Sequence, residues 1–561
     1  MNLKQAVCDC IQTDILSKEE LYSALAFSQE EKNGDVCLPC FKFSKTLRLS
    51  PVAIAQKLSE CIKMGDVVEK CEVVNGYLNF FLSKDVIIKN VLDEVVAKGE
   101  EYAPIANHGK TVCLDYSSIN IAKPFHIGHL LTTVIGGSLY KIYKYLGYNA
   151  VGINHLGDWG TQFGKLIVAY KKWGSDADIE ERKMLALLEL YVKFHKEAEE
   201  DPELEQQGRD WFKKIEDGDK EALEIFEKFK TITLSEVQKV YDKLGVHFDS
   251  YAGESFYNDK MQPVIDELNE KGLLELSEGA KVVNLEEYNM APCLILKKDG
   301  ATLYATRDLA AAIYRHNTYD FDKCLYVVAY QQNLHFKQVF KVLELMGKPW
   351  ANKLVHVPFG MVSLEGSTLS TREGKVVFLD DVLNTSVSKV KDVMKAKNPD
   401  AILDEKTASD VGVGAVIFYA LSSARIKDMV FSYDKALSFE GETGPYLQYT
   451  HARCRSVLTK AGQVEGKFDV SSINSSSAFS VIKLLNDYDN VVIEAGEKYE
   501  PSIISHYLID LAKAYNKFYL ENRIIVDDAN VTYTRALLTS CVANAIKNGL
   551  SLILINAPDK M

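Results

Sequence analysis

One arrangement leaves this chain little freedom of fold. VCLDYSS (Val112–Ser118) is a short apolar stretch of strand length. GHLLTTVIGGSLYKIYKYLG (Gly128–Gly147) then carries apolar residues at helical spacing, and NAVGINHLG (Asn149–Gly157) is a second strand-like run. Strand, helix and strand in succession make a βαβ unit, whose strands lie parallel because the helix carries the chain back to its starting end. From Thr111 onward the chain is expected to build a parallel sheet.

The first strand-to-helix turn of that unit reads NIAKPFHIGH (Asn120–His129). A helix start offers free backbone N–H groups and the positive end of a dipole, which together favour an anion. Gly128 takes away a side chain where a nucleotide would lie against the backbone. His126 and His129 share a face and can donate to phosphate oxygens, and Lys123 adds a mobile positive charge. A metal pair needs a third ligand, and neither an HExxH pattern nor a second histidine pair accompanies this one. A polar helix cap accounts for one histidine but not for the other or for the lysine. A phosphate cradle uses all three. A later hydroxyl-rich loop, GSTLSTREGK (Gly366–Lys375), follows a strand and can close over a triphosphate; taken alone it reads as a surface turn.

Four regions are expected around this unit. Residues 1–100 form a small α+β unit, with a strand up to Phe43, a helix from the Ser50-Pro51 start and a strand pair turning at Asn75-Gly76. Residues 108–365 form the parallel-sheet domain, with CLILKKDG, CLYVVAY and KLVHVPFG as further strands. A Glu- and Lys-rich helical insertion at about 176–245 carries no catalytic pattern. Residues 366–409 connect through the loop, and across 410–561 strand signals give way to amphipathic helices.

Composition narrows the class. At 561 residues and 47% hydrophobic, the chain is ordinary globular material with length for several cores. No apolar run reaches the roughly eighteen residues of a membrane span. The opening residues read as an amphipathic helix rather than a secretory signal. The eleven scattered cysteines favour a reducing, cytoplasmic setting over a disulfide framework. Cys8, Cys10, Cys37 and Cys40 invite a four-thiolate zinc site, yet no knuckle glycine surrounds them and Cys8–Cys10 falls in a helical pattern. Buried or half-exposed thiols and no zinc are expected. A net charge of −13 argues against a body coated for nucleic acid and leaves room for a local basic surface.

With these residues in view, the chain resembles the class I aminoacyl-tRNA synthetases, which carry a HIGH motif and a later KMSK loop. More narrowly it is similar to the arginyl-tRNA synthetases along nearly its full length. The likeness is carried by LDYSSINIAKPFHIGHL, NHLGDWGTQFGKL, YAGES, DGATLYATRDLA, YVVAYQQNLHFKQVF, FEGETGPYLQYTHAR and GLSLILINAPDKM. The resemblance implies a multidomain α/β protein: a Rossmann-type catalytic domain, an N-terminal domain touching the tRNA elbow at the D-loop, and a C-terminal all-α bundle binding the anticodon. It implies ATP with Mg²⁺, L-arginine and tRNA(Arg) as partners, no membrane, and a monomer. The reaction implied is activation of arginine as its adenylate, with tRNA present, then transfer to the 2′-hydroxyl of the terminal adenosine. Where the family's loop begins Lys-Met-Ser-Lys, this chain has Thr368-Leu369-Ser370-Thr371. Many arginyl enzymes share that loss and carry the lysine before HIGH, so Lys123 is expected to supply the missing cation, helped by Arg372. Ile119 also replaces the family's usual proline.

By resemblance, catalysis and ATP binding fall to Lys123, His126, His129 and Arg372, with Gly128, Ser370 and Thr371 also on the nucleotide. A guanidinium has five donors and no acceptor, so its pocket needs carboxylates. Tyr304 and Asp308 stand four apart, on one face of a helix that begins near Thr306. A helix-capping carboxylate is the commoner role at that spacing, and the resemblance favours the pocket. Asp115, Ser118, Asn120, His126, Glu254 and Gln332 match family positions that contact arginine. Tyr449, Arg453 and Met561 match positions bordering the second anticodon base, where aromatic faces and guanidiniums suit unstacked bases. Asn79 and Phe80 match positions near the D-loop, with a half-buried strand residue as the competing reading. Three rival readings are another class I synthetase, a small-molecule nucleotidylyltransferase, and a tRNA-binding paralogue that has lost activation. The YATRD and GPYLQY blocks oppose the first, the helical C-terminal region the second, and the intact cradle the third.

Overall fold

The computed structural model describes residues 3–28, 31–123, 125–365, 377–397 and 404–561. Ser370, Thr371 and Arg372, with the rest of the GSTLSTREGK loop, lie outside the described residues. Four strands, β1 (Thr111–Asp115), β2 (Asn149–Ile153), β3 (Lys323–Ala329) and β4 (Leu354–Phe359), make an all-parallel sheet in the order β4-β3-β1-β2. Leu354, Cys324, Cys113 and Val151 stand side by side across it. Helix α1 (Leu130–Tyr145) carries the chain from β1 to β2 and is buried on nearly every side, so its apolar residues are not confined to one stripe. Gly136 lets it lie against the strand's exit: a Cβ there would sit 2.2 Å from the Tyr116 side chain.

CLILKKDG does not join this sheet. Cys293–Leu296 closes a separate antiparallel sheet with Glu275–Ser277 and Ala280–Val283. Its alternation explains the difference: Cys293 and Ile295 are buried while Leu294 is exposed, the mark of a strand covered on one face only. Between β2 and that sheet lie α2 (Thr161–Trp173), the short helix Asp176–Arg182, α3 (Met184–Glu200), α4 (Glu203–Glu216) and α5 (Lys220–Leu244). The Asp219 carboxylate caps α5 by accepting from the Ala222 N–H, and Gly245 ends it at φ 65°. Helix α6 (Tyr304–Tyr319) then leads into β3.

The N-terminal unit is an antiparallel sheet in the spatial order Ala26–Phe27, Val36–Pro39, Tyr77–Leu82, Val68–Val74. The strand expected to reach Phe43 stops at Pro39, and Cys40–Phe43 is a 3₁₀ turn. Asn75 and Gly76 both have positive φ, 49° and 84°, which matches a tight hairpin's twist. The thiols of Cys8 and Cys40 are buried, donate to the carbonyls of Lys18 and Leu38, and are pushed up by burial, Cys40 to about 11.

In the C-terminal region, α7 (Gly444–Ala461) packs against the helices Glu405–Leu421, Ser502–Glu521 and Ala529–Leu552, and Ser476–Glu497 packs on the last two. Contrary to the strand-free expectation, Met429–Phe431 pairs in parallel with Val362–Leu364. A ladder that short leaves no readable periodicity. The bundle rests on α1, where Ser138 Oγ donates to the Leu552 carbonyl at 2.9 Å and the Tyr143 hydroxyl to that of Gly496 at 3.0 Å. Among the described residues, no helix is long and apolar enough to cross a membrane.

Candidate active site

Past Asp115 the chain turns through Ser117 and Ser118, both left-handed at φ 68° and 45°. Side-chain bonds hold this costly conformation. The Ser117 N–H donates to Thr132 Oγ1 at 3.0 Å, its hydroxyl lies 2.8 Å from that of Tyr241, and Ser118 Oγ donates to Asp115 Oδ1 at 2.7 Å. Next, Ile121 N–H bonds the Gly157 carbonyl at 3.1 Å and Gly157 N–H bonds that of Ile119 at 2.8 Å, lacing the turn to the loop after β2. Ala122, at φ 59°, donates its N–H to Thr233 Oγ1 of α5 at 3.1 Å. The insertion, which shows no catalytic pattern in sequence, therefore props up the approach to the cradle.

The two imidazoles crown a 3₁₀ turn, Ile127–His129, that runs into α1. The Gly128 N–H donates to His126 Nδ1 at 3.0 Å and the His126 N–H to His129 Nδ1 at 3.2 Å. With each Nδ1 accepting, each neutral ring carries its proton on Nε2. Burial, then Lys123, holds His126 below the usual histidine range; burial, then His126, lowers His129 to about 3. At neutral pH the pair are uncharged Nε2–H donors, and Lys123 brings the charge. Gly128 is demanded first by its neighbour: a Cβ would lie 2.7 Å from His126 Cε1, a tighter limit than the nucleotide approach read from sequence. Val377 and Leu379, just beyond the loop, bond Ile127 and Phe125 at 3.0 Å each.

A cleft of about 800 Å³ opens before the cradle. Lys123, His126 and His129 line one wall, and Lys165 of α2, Tyr191 and His195 of α3 and Glu205 of α4 the other. Lys165 Nζ is paired to Glu205 at 2.8 Å.

The carboxylates lie alongside. Glu254 N–H bonds the Leu156 carbonyl at 2.8 Å, next to the Gly157 that pairs with Asn120. Burial pushes its carboxyl up to about 7, although Arg307 Nη1 stands 3.7 Å away. Asp308 is no helix cap: α6 starts at Tyr304, and Asp308 Oδ2 meets His335 Nε2 at 2.6 Å. Tyr304 is 68% exposed, and Gln332 is exposed at the end of the turn after β3. Asp115 departs from expectation, because its carboxylate already faces an internal guanidinium, Arg315 Nη2 at 2.7 Å, with Ser118 on its other oxygen. Asp158 is fully buried, accepts from the Ser255 N–H and hydroxyl, and pairs with Lys230 at 2.8 Å, which fixes the YAGES turn. The sequence reading gave no role to His155, Asp158, Arg307, Arg315 or His335. Their one signal is polarity just beyond apolar strands or along α6.

At the proposed RNA-facing positions, Tyr449 is 43% exposed and the Arg453 guanidinium lies 4.9 Å above its ring, held by Asn516 at 2.7 Å. The chain's end is docked. Gln448 Nε2 donates to the Asn556 carbonyl at 2.7 Å, His451 Nδ1 meets that of Pro558 at 3.0 Å, and Met561 packs beside the cluster containing Val411 and Leu437. Asn79 and Phe80 are turned inward instead, 4% and 0% exposed on an inner strand, and offer RNA no surface. Phe41 and Tyr77 are the exposed aromatic pair of that unit, 5.2 Å apart.

A parallel sheet whose first strand delivers two imidazole donors and a lysine to the head of its crossover helix has the build of a class I aminoacyl-tRNA synthetase. The sequence pattern of the family "tRNA synthetases class I (R), catalytic domain" matches residues 91–433, that of the "Arginyl tRNA synthetase N terminal domain" residues 1–82, and that of the "DALR anticodon binding domain" residues 447–561. The chain is 50% identical to the arginine–tRNA ligase of Alkaliphilus metalliredigens and 50% identical to that of Halothermothrix orenii, with 100% of each chain covered. The Thermus thermophilus arginyl-tRNA synthetase superposes with a TM-score of 0.83 at 26% identity over 96% of both chains. The Plasmodium falciparum enzyme shares the fold, with a TM-score of 0.79 at 23% identity over 96% of this chain and 94% of its own. The chain belongs to the arginyl-tRNA synthetase family.

Proposed function

We infer that this protein is an arginine–tRNA ligase: it activates L-arginine with ATP, releasing pyrophosphate, and transfers the arginine to the 2′-hydroxyl of the terminal adenosine of tRNA(Arg) for protein synthesis. One observation carries the reading from geometry. A phosphate-donor turn and a half-buried carboxylate open side by side, joined through the Asn120–Gly157 bridge and the Leu156–Glu254 hydrogen bond.

In activation the arginine carboxylate attacks the α-phosphorus in line, and the protein's work is positioning and charge stabilisation. His126 and His129 hydrogen-bond phosphate oxygens through Nε2–H. As neutral donors they stay in register while the mobile Lys123 ammonium, with Arg372, follows the charge gathering on the leaving pyrophosphate. Gly128, Ser370 and Thr371 border the nucleotide. ATP arrives with Mg²⁺ held by its phosphates and water. Glu254 and Asp308 receive the guanidinium, Tyr304 walls the pocket, and Asn120, His126 and Gln332 complete the contacts with arginine. Asp115 and Ser118 serve from beneath. Tyr449, Arg453 and Met561 border the anticodon, and the N-terminal unit meets the tRNA elbow. The chain works as a cytoplasmic monomer. The test is arginine-dependent ATP–pyrophosphate exchange with and without tRNA(Arg). Exchange that is absent under both conditions, or that follows another amino acid, overturns the reading.

A further inference from the structure

The active site draws on several separate pieces of chain. The nucleotide side leaves β1 through Asp115–Lys123, and the arginine side lies on α6 with Tyr304, Arg307 and Asp308. Arg315 lies two turns past Asp308 on α6, and so on the same face. Its side chain is 1% exposed. Nη2 reaches Asp115 Oδ2 at 2.7 Å and His155 Nδ1 at 3.3 Å, and the guanidinium covers the Tyr326 ring at 5.3 Å. Its Nε and Nη1 are buried without a hydrogen-bond partner.

A buried ion pair of this kind is a poor device for stability, since desolvation cancels most of the attraction. It is a good device for fixing geometry, because a planar guanidinium laid against the Tyr326 ring, with Nη2 between Asp115 and His155, can reach that carboxylate oxygen in few orientations. The other oxygen of that carboxylate holds Ser118, whose φ of 45° is a conformation the backbone does not keep unaided. The links therefore run from α6 through Arg315, Asp115 and Ser118 to the turn that aims Asn120 and the cradle.

We propose that Arg315 is a positioning residue for activation: through Asp115 and Ser118 it locks the β1 turn to α6, and so sets the distance between the bound arginine carboxylate and the α-phosphate. This rests on the function proposed above. Arg315 touches neither substrate, so its loss should spare each binding event and damage the step that needs both ligands in register. Misplacement by about 1 Å costs on the order of a hundredfold in rate.

The variants are Arg315→Lys, which keeps the charge but not the planar group held between Tyr326, His155 and Asp115, and Ser118→Ala, which cuts the last link and leaves the ion pair intact. Each is assayed for kcat, for the KM values of arginine and ATP, and for thermal unfolding. Arg315→Lys should lower kcat about thirtyfold or more with both KM values within about threefold, and Ser118→Ala should lower kcat about tenfold in the same pattern. If kcat stays within threefold, or if kcat, both KM values and the unfolding temperature worsen together in both variants, the proposal is overturned. Should Arg315→Lys fail to fold, Ser118→Ala decides alone. A wild-type chain inert in arginine-dependent exchange sinks the functional reading, whereas an active wild type with unaffected variants sinks only the role of Arg315.

Discussion

With Glu254 in the proposed arginine pocket, arginine binding should be linked to proton release from that carboxyl. Burial holds its carboxyl at about 7 instead of 4.5, and Arg307 at 3.7 Å only partly offsets this. Only the carboxylate pairs with a guanidinium. For a group titrating near 7, the ionised fraction rises from about 0.1 at pH 6 to about 0.9 at pH 8, so the apparent Kd for arginine should fall about tenfold over that range. At pH 7 roughly half a proton should leave per arginine bound. Titration calorimetry at pH 6, 7 and 8, in paired buffers of different ionisation enthalpy, measures both quantities. In Glu254→Gln the affinity should be weak at every pH and the slope gone. A flat wild-type profile, or a slope that survives in Glu254→Gln, would refute the reasoning. The same shift has a folding counterpart. A carboxyl raised above its unfolded value stabilises the native state least where it must ionise, so this contribution is lost as pH climbs from 4.5 through about 7, and bound arginine should restore it.

Lys123→Ala should slow ATP–pyrophosphate exchange at least a hundredfold, on the order of 3 kcal/mol of transition-state stabilisation, with calorimetric arginine affinity nearly unchanged; normal exchange would remove Lys123 from the cradle's work. His129, held near 3, stays unprotonated in the native state at pH 5 while the unfolded state takes the proton, so its contribution to stability falls with pH. Between pH 7.5 and 5 that loss is at most about 2 kcal/mol, visible as a drop in urea midpoint that is smaller in His129→Asn. Removing Met561 should raise the KM for tRNA and leave that for ATP alone, since the residue packs beside the cluster of Val411 and Leu437 and is not among the residues lining the cradle's cleft; equal damage to both would signal misfolding.

What the sequence disclosed follows the range of the interactions concerned. The βαβ unit and the NIAKPFHIGH turn are contiguous, so their periodicity and spacing could be read directly. Thr233, which supports Ala122, and Arg315, which neutralises Asp115, come from far along the chain, and nothing local marks either as a partner. Cys293–Leu296 was assigned to the wrong sheet because a short apolar run carries no information about its neighbours. Asn79 and Phe80 were expected to face RNA, yet the strand is covered on both edges by Val36–Pro39 and Val68–Val74, and the side that would reveal them is a matter of packing rather than pattern. Glu254 was half visible: the residue could be named, but its raised pKa depends on burial that only the fold creates.

Helix α1 is a single rod of about 24 Å, from its sixteen residues. One end bears the two imidazoles of the cradle, and its flank is bolted to the helical bundle through Ser138 and Tyr143. A displacement of the bundle at those two contacts therefore bears on the same continuous helix that carries the cradle at its head.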